Sequence, residues 1–180
     1  MHAFNQPPGS GQSPRAAGVV LRDVQDADLT ELLGLWHELM DLHVELDPRF
    51  ALSDNADQRF FHYIDTARSR DDYRVRVAIW RGRPVGFAVS CVLPNSPVYR
   101  ARWIGYINDL CVTSSMRKRG VGELLVEDAV RWLKKAGAES VEVYVARHNQ
   151  VAQSFWRRMG GQDYLDRMTL DLSRFDRGRR

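Results

Sequence analysis

Between residues 101 and 146 the chain runs strand, cationic turn, helix, strand, and that order limits what can surround it. ARWIGYINDLCV (101–112) is a long apolar run with strand composition. SSMRKRGVG follows, with Arg117, Lys118 and Arg119 directly before Gly120 and Gly122. A helix is predicted over 121–136, with Val121, Leu125, Ala129, Leu133 and Ala136 on one face. Glu123 suits its first turn, Lys134 and Lys135 its last, and Gly137 its stop. SVEVYVA (140–146) reads as a second strand. Two strands joined through a helix lie parallel.

The flanking segments supply antiparallel partners. VVLRDV (19–24) reads as a first strand, and Asp26 or Asp28 is expected to cap the helix carrying Leu29, Leu32, Leu33, Trp36 and Met40. A second helix is expected from Asn55 or Asp57 through Phe60, Phe61, Ile64 and Ala67. YRVRVAIW (73–80) and VGFAVSCVL (85–93), joined by the turn RGRP, predict a hairpin. Residues 149–161 read as a short helix with an Asn start and a Gly stop, and DRMTLDL (166–172) as a last strand. The sum is a mixed α/β (α+β) sheet, mostly antiparallel with one parallel step, flanked by helices.

The turn predicts an anion site. The first amides of a helix have no partner, and that end carries partial positive charge. Glycines let a phosphate approach the backbone, and neighbouring cations add attraction. A Walker loop is excluded, because no Gly-Lys-Ser/Thr occurs. A dinucleotide fingerprint is excluded too, since Leu125 stands where its third glycine belongs.

INDLCVTSSMRKRGVGELLVEDAV, followed by VEVYVARHNQVAQSFWRRMGGQDY, resembles the GNAT superfamily of acyl-CoA-dependent N-acyltransferases. The resemblance covers roughly 18–172 and is strongest over 107–164. It implies that residues 117–122 (Arg117, Lys118, Arg119, Gly120, Val121 and Gly122) hold the coenzyme A pyrophosphate. It implies that Leu110, Cys111 and Val112 pair with the pantetheine arm, that Asn149 contacts the cofactor, and that Trp156 packs beside it. The parallel strands are then expected to splay and admit the thioester of acetyl-CoA. The reaction implied is transfer of an acetyl, or related acyl, group to a primary amine of a small molecule or peptide. A non-catalytic acyl-CoA-binding regulatory module of the same fold is the alternative.

Direct attack by a neutral amine needs a base, a donor for the oxyanion and a route for the leaving thiolate. The Leu-Tyr pair usual in the family's later helix reads Phe155-Trp156 here. An indole cannot deliver a proton at neutral pH, so Tyr164 or Tyr106 is the candidate acid. Asp109 is the candidate base; Asn108 stands where polyamine-type members carry Glu. Successive strand residues face opposite ways, so Asn108 and Asp109 share a face only if the strand bulges. Gly161, in place of the usual aromatic, is expected to loosen the helix end.

Composition narrows the partners. The formal charge is +3, but Arg15, Arg174, Arg177, Arg179 and Arg180 lie outside 16–173 against Asp176 alone, which leaves that region at −1. A near-neutral domain gives no broad nucleic-acid footprint. No apolar run approaches a membrane span. In HELMDLH the two histidines are six apart and point to different faces, so no metal is expected. Asp41, Glu45 and Asp47 are expected on a solvated acidic face near the acceptor. Cys91 and Cys111, both in apolar runs, read as buried thiols of a cytoplasmic protein. Residues 1–17 are expected to be a disordered leader without a secretory signal, 18–172 the domain and 173–180 a basic tail; a homodimer is the family-level expectation.

Overall fold

The computed structural model describes residues 16–175; residues 1–15 of the expected leader and 176–180 of the expected tail lie outside it. Five strands form one sheet in the order β1 (Val19–Asp23), β2 (Tyr73–Trp80), β3 (Arg83–Pro94), β4 (Trp103–Val112) and β5 (Ser140–Glu142). Each neighbouring pair is antiparallel except β4 and β5, which are parallel as the crossover requires. Arg81 and Gly82, both at positive φ, make the two-residue turn of the β2–β3 hairpin.

Helices cover both faces. On one lie α1 (Leu29–Leu46) and α2 (Ala56–Arg68). Leu32, Leu35, Phe60 and Ile64 pack there on Val75, Val77, Phe87, Val89 and Cys111. Trp36 stacks on Phe60 at 4.8 Å, and the Phe60 edge meets Phe87 at 6.2 Å. On the other lies α3 (Val121–Lys135), whose Val121, Leu125, Ala129 and Leu133 are buried at the predicted four-residue spacing. Ala136, expected on that face, is the exposed residue that ends the helix. Helix α4 (Gln150–Arg158) brings Phe155 and Trp156 onto the same side, against Leu133 and Val126.

Three expectations fail locally, each for a stated physical reason. Asp28 does not cap α1 with its side chain. Its carboxylate, 4% exposed, turns to the Arg22 guanidinium at 2.6 and 2.7 Å and accepts from the Gln25 amide at 2.8 Å. A bidentate charged partner outcompetes a single backbone donor. Strand β5 stops at Glu142 instead of 146, and 166–172 forms no strand. A strand needs a ladder partner, and among the described residues neither stretch has one.

The Asp28 pair sets an acid limb of stability. Arg22 holds this carboxyl below the ordinary carboxylate range. Its contribution is therefore complete above the unfolded value, about 3.9, and is lost as pH falls through the folded value. Urea midpoints of Asp28→Asn should show a loss of about 1–2 kcal/mol at neutral pH, shrinking toward pH 3. A constant loss across that range would contradict this assignment.

Candidate active site

A cleft opens because β4 has two unequal ladders. It pairs along nine positions with β3 and along only three with β5, namely Ile104↔Ser140, Gly105↔Val141 and Tyr106↔Glu142. Beyond Tyr106 the two strands part. The edge of β4 through Leu110, Cys111 and Val112, on the side away from β3, is left without a strand partner. The thiol of Cys111 itself points away, donating to the Leu35 carbonyl at 2.9 Å, and burial pushes it up to about 12.

The glycine turn lies at the far end of that edge. Lys118 and Gly120 sit at φ 60° and 85°, a left-handed path that curls the chain into α3. Gly120 precedes the first helical residue, and the amides of Val121, Gly122 and Glu123 occupy the unpaired first turn. Lys118 and Arg119 are exposed, and among the described residues no carboxylate pairs with either. Arg117 differs: its Nε donates to the Val112 carbonyl at 3.0 Å, which ties the turn back to β4. Glu38 of α1 completes the anchor by accepting from the Thr113 hydroxyl at 2.8 Å and the Ser114 amide at 3.0 Å. Gly122 also has a packing duty, since an added side-chain carbon would lie 3.3 Å from the Phe155 ring.

A β-bulge lies in the middle of β4. Val89 pairs with Asp109 and Ser90 with Ile107, so Asn108 is the extra residue. Ile107 and Leu110 pack toward α3. Between them, Asn108 accepts from the Cys91 thiol at 3.2 Å, and Asp109 accepts from the Tyr63 hydroxyl of α2 at 2.8 Å. Both polar side chains thus face α1 and α2, the arrangement that only a bulge permits. Burial pushes the Asp109 carboxyl up, opposed by the Tyr63 bond and by His43. Burial and Asp109 likewise raise Tyr63, so it remains a protonated donor.

Helix α4 closes the other wall. Asn149, 7% exposed, caps it by accepting from the Ala152 amide at 2.9 Å. Trp156 is half-buried, edge-on to Phe155 at 5.1 Å. Gly160 at φ 91° and the Gly161 amide, which donates to the Trp156 carbonyl at 2.9 Å, end the helix tightly rather than loosening it. Tyr106 stands at the point of splay, stacked with Tyr144 at 6.2 Å. Tyr164 is 77% exposed beyond α4 and bonds to no site residue.

Asp41 and Glu45 are exposed as expected, whereas Asp47 is engaged by Arg49. Two surface hollows lie outside the cleft: one of about 440 Å³ between His37 and residues 52–58, the other of about 330 Å³ between Trp80, Lys118 and Arg119. Among the described residues no cluster of metal-ligating side chains occurs, and no helix is long and apolar enough to cross a membrane. Glu38 and Tyr63 carry no local sequence signal. Each acts across 46 to 76 residues of chain, on partners that only the fold brings near.

Two substitutions test this geometry. Gly120→Ala forces a side chain into a left-handed conformation, so the stability read from urea unfolding should fall by about 1–2 kcal/mol. Asp109 has the opposite sign to Asp28. With its folded value raised, stability is greatest at low pH and falls as pH rises through that value. Asp109→Asn keeps an acceptor for Tyr63 and removes the half-buried, poorly solvated charge, so its urea midpoint at neutral pH should exceed that of the parent.

The description that matches residues 36–161 is the acetyltransferase (GNAT) family. An uncharacterized N-acetyltransferase of Methanocaldococcus jannaschii is 31% identical over 101 residues, 56% of this chain and 44% of its own length. One of Archaeoglobus fulgidus is 30% identical over 95 residues, 53% of this chain and 64% of its own. The chain thus spans less than two thirds of either relative. A Bacillus halodurans protein solved as a tetramutant superposes with a TM-score of 0.75 at 24% identity, over 85% of this chain and 99% of that one. The aminoglycoside N-acetyltransferase AAC(6')-Iy, in complex with CoA, gives 0.69 at 18%, over 88% and 97%. These two likenesses speak to the fold. The family match takes in the glycine turn, the bulged strand and α4, and on that ground the chain belongs to the GNAT family of acetyltransferases.

Proposed function

We propose that the protein transfers an acetyl group from acetyl-CoA to the primary amine of a small molecule or peptide, with Asp109 as general base. The observation that carries this reading is the bulge, which turns the Asp109 carboxyl out of alternation toward α1 and α2, beside the opened edge of β4. The cradle at Lys118–Gly122 fits a diphosphate through unpaired amides and unpaired cations. The thioester arm would run from there along Leu110–Val112, between β4 and the start of α4, with Asn149 and Trp156 on the opposite wall.

The chemistry follows from those positions. A primary amine is protonated at neutral pH and must lose a proton before it attacks. The raised carboxyl of Asp109 is a better base than an exposed aspartate, and Tyr63 holds its orientation. The amine nitrogen bonds the carbonyl carbon, its proton passes to Asp109 directly or through water, and the carbon–sulfur bond breaks. We assign the oxyanion to a backbone amide of β4 near Cys111. The thiolate, with a solution pKa near 8.5, leaves without strict need of an acid. Tyr106, at the splay and kept protonated by burial and by Glu142, is assigned a hydrogen bond to the departing sulfur in place of the exposed Tyr164. Cys111 remains a thiol and bonds Leu35, which argues against an acyl-cysteine route.

Thiol release from acetyl-CoA across a panel of amines tests this reading. Asp109→Asn should lower kcat/KM by about 10²–10⁴-fold with little change in coenzyme A affinity. The acid limb of kcat/KM should move to higher pH in Tyr63→Phe, because the lost bond had stabilised the carboxylate. Tight coenzyme A binding with no turnover on any amine would instead support the non-catalytic module, the reading favoured by Trp156 in the place of the family's tyrosine.

A further inference from the structure

We propose that the end of the molecule opposite the glycine turn is a docking surface for anionic lipid. The loop joining β3 to β4 reads NSPVYRAR (95–102). It is closed on itself. The Asn95 amide donates to the Arg102 carbonyl at 2.8 Å, the Asn95 side chain donates to the Ala101 carbonyl at 3.0 Å, and the Tyr99 amide donates to the Ser96 carbonyl at 3.0 Å. A loop tied this way presents its tip in a fixed shape. Val98 and Tyr99 stand at the tip, 82% and 64% exposed, with Trp103 at its base, 47% exposed. Large apolar side chains clustered in water mark an interaction surface.

Cations surround that apolar tip. Arg100 and Arg102 lie in the loop, and Lys134 and Lys135 end α3 beside it. The junction is direct: Glu139, just after α3, accepts from the Arg102 amide at 2.6 Å and donates its own amide to the Trp103 carbonyl at 3.0 Å. All four cations are exposed, and among the described residues none of them forms an ion pair. The neighbouring acids do not cancel them. The Glu139 carboxylate is turned onto the loop amides, Asp72 is held by Arg70, and Asp71 adds one exposed negative charge from the β2 side. An apolar tip inside a cationic collar fits an anionic bilayer: Val98, Tyr99 and Trp103 enter the headgroup layer, where Tyr and Trp are favoured, and the cations meet its negative charge. A second copy would set these cations against their own kind across a two-fold axis. A nucleic acid would leave Pro97 and Val98 without a partner, since bases stack on aromatic rings. Helix α3 runs from the glycine turn to this end, about 22 Å for its 15 residues, so a chain lying on lipid keeps that turn clear of the surface.

Flotation of the full chain with lipid vesicles is the test. Vesicles of phosphatidylcholine with about a third phosphatidylserine should carry the protein, phosphatidylcholine alone should not, and high salt should weaken binding by about tenfold or more. The double variant Arg100→Glu, Arg102→Glu alters exposed side chains and should weaken binding by about a hundredfold. Val98→Cys supplies an independent probe, because Cys91 and Cys111 are buried and leave the new thiol as the one open to labelling. The emission of an environment-sensitive dye there should shift to the blue on the anionic vesicles and not on the neutral ones. A folded parent that ignores anionic vesicles, a double variant that binds as well as the parent, a dye that stays in water, or a single-stranded oligonucleotide held more tightly than the vesicles would each overturn the proposal. Neither acyl donor nor amine is present, so the result stands apart from the transfer reaction.

Discussion

The inequality between the two ladders of β4 is the constraint on which the rest depends. Nine positions hold it to β3, and only three hold it to β5. The long ladder keeps the strand rigid, while the short one leaves half of its other edge facing a gap. An unpaired edge in a folded protein is costly or hazardous unless something occupies it. Here the gap is bounded by the start of α3 at one end and the start of α4 opposite, two groups of helix-terminal amides that favour anions and hydrogen-bond acceptors. Covering α3 with Leu125, Ala129 and Leu133 fixes where its positive end points.

The bulge at Asn108 decides which side chains stand on which face of that strand. Regular alternation would bury Asp109 and Ile107 on the same side of the sheet; one extra residue sends them to opposite sides. The carboxyl then faces α1 and α2, under protein that raises its proton affinity. Tyr63 supplies the hydrogen bond that keeps such a group tolerable. Burial therefore costs stability at this residue when it is ionised, a cost the Tyr63 bond offsets in part.

The turn after β4 divides its duties in a way its spelling conceals. Three consecutive cations look equivalent, yet Arg117 is spent on the Val112 carbonyl and Glu38, while among the described residues Lys118 and Arg119 pair with no carboxylate. Glu38 anchors the same turn from α1. The hollow lined by Lys118, Arg119 and Trp80 lies on the β1–β2 side of the sheet, away from the cleft, so the free cations border two surfaces.

Element order, the parallel step, the buried stripe of α3 and the glycine turn that starts it were legible in the sequence. Each depends on neighbours a few residues apart: apolar spacing, a left-handed glycine, a strand–helix–strand order that allows one connection. Where β5 and the 166–172 segment would stop was not legible, because a strand exists only with a partner, and alternation in one chain cannot say whether an edge will be met. Nor was the company of Asp109. The letters nominate a carboxylate beside an asparagine. That both turn to one face, that Tyr63 meets one of them and Cys91 the other, and that the carboxyl is thereby raised are consequences of packing between segments 17 to 46 residues apart. Local sequence determined the elements and the glycine turn with its unpaired amides, since short-range sterics suffice for those; tertiary structure alone decided the bulge, the parting of β4 from β5 and the raised proton affinity of Asp109, since these arise only where distant segments exclude water together.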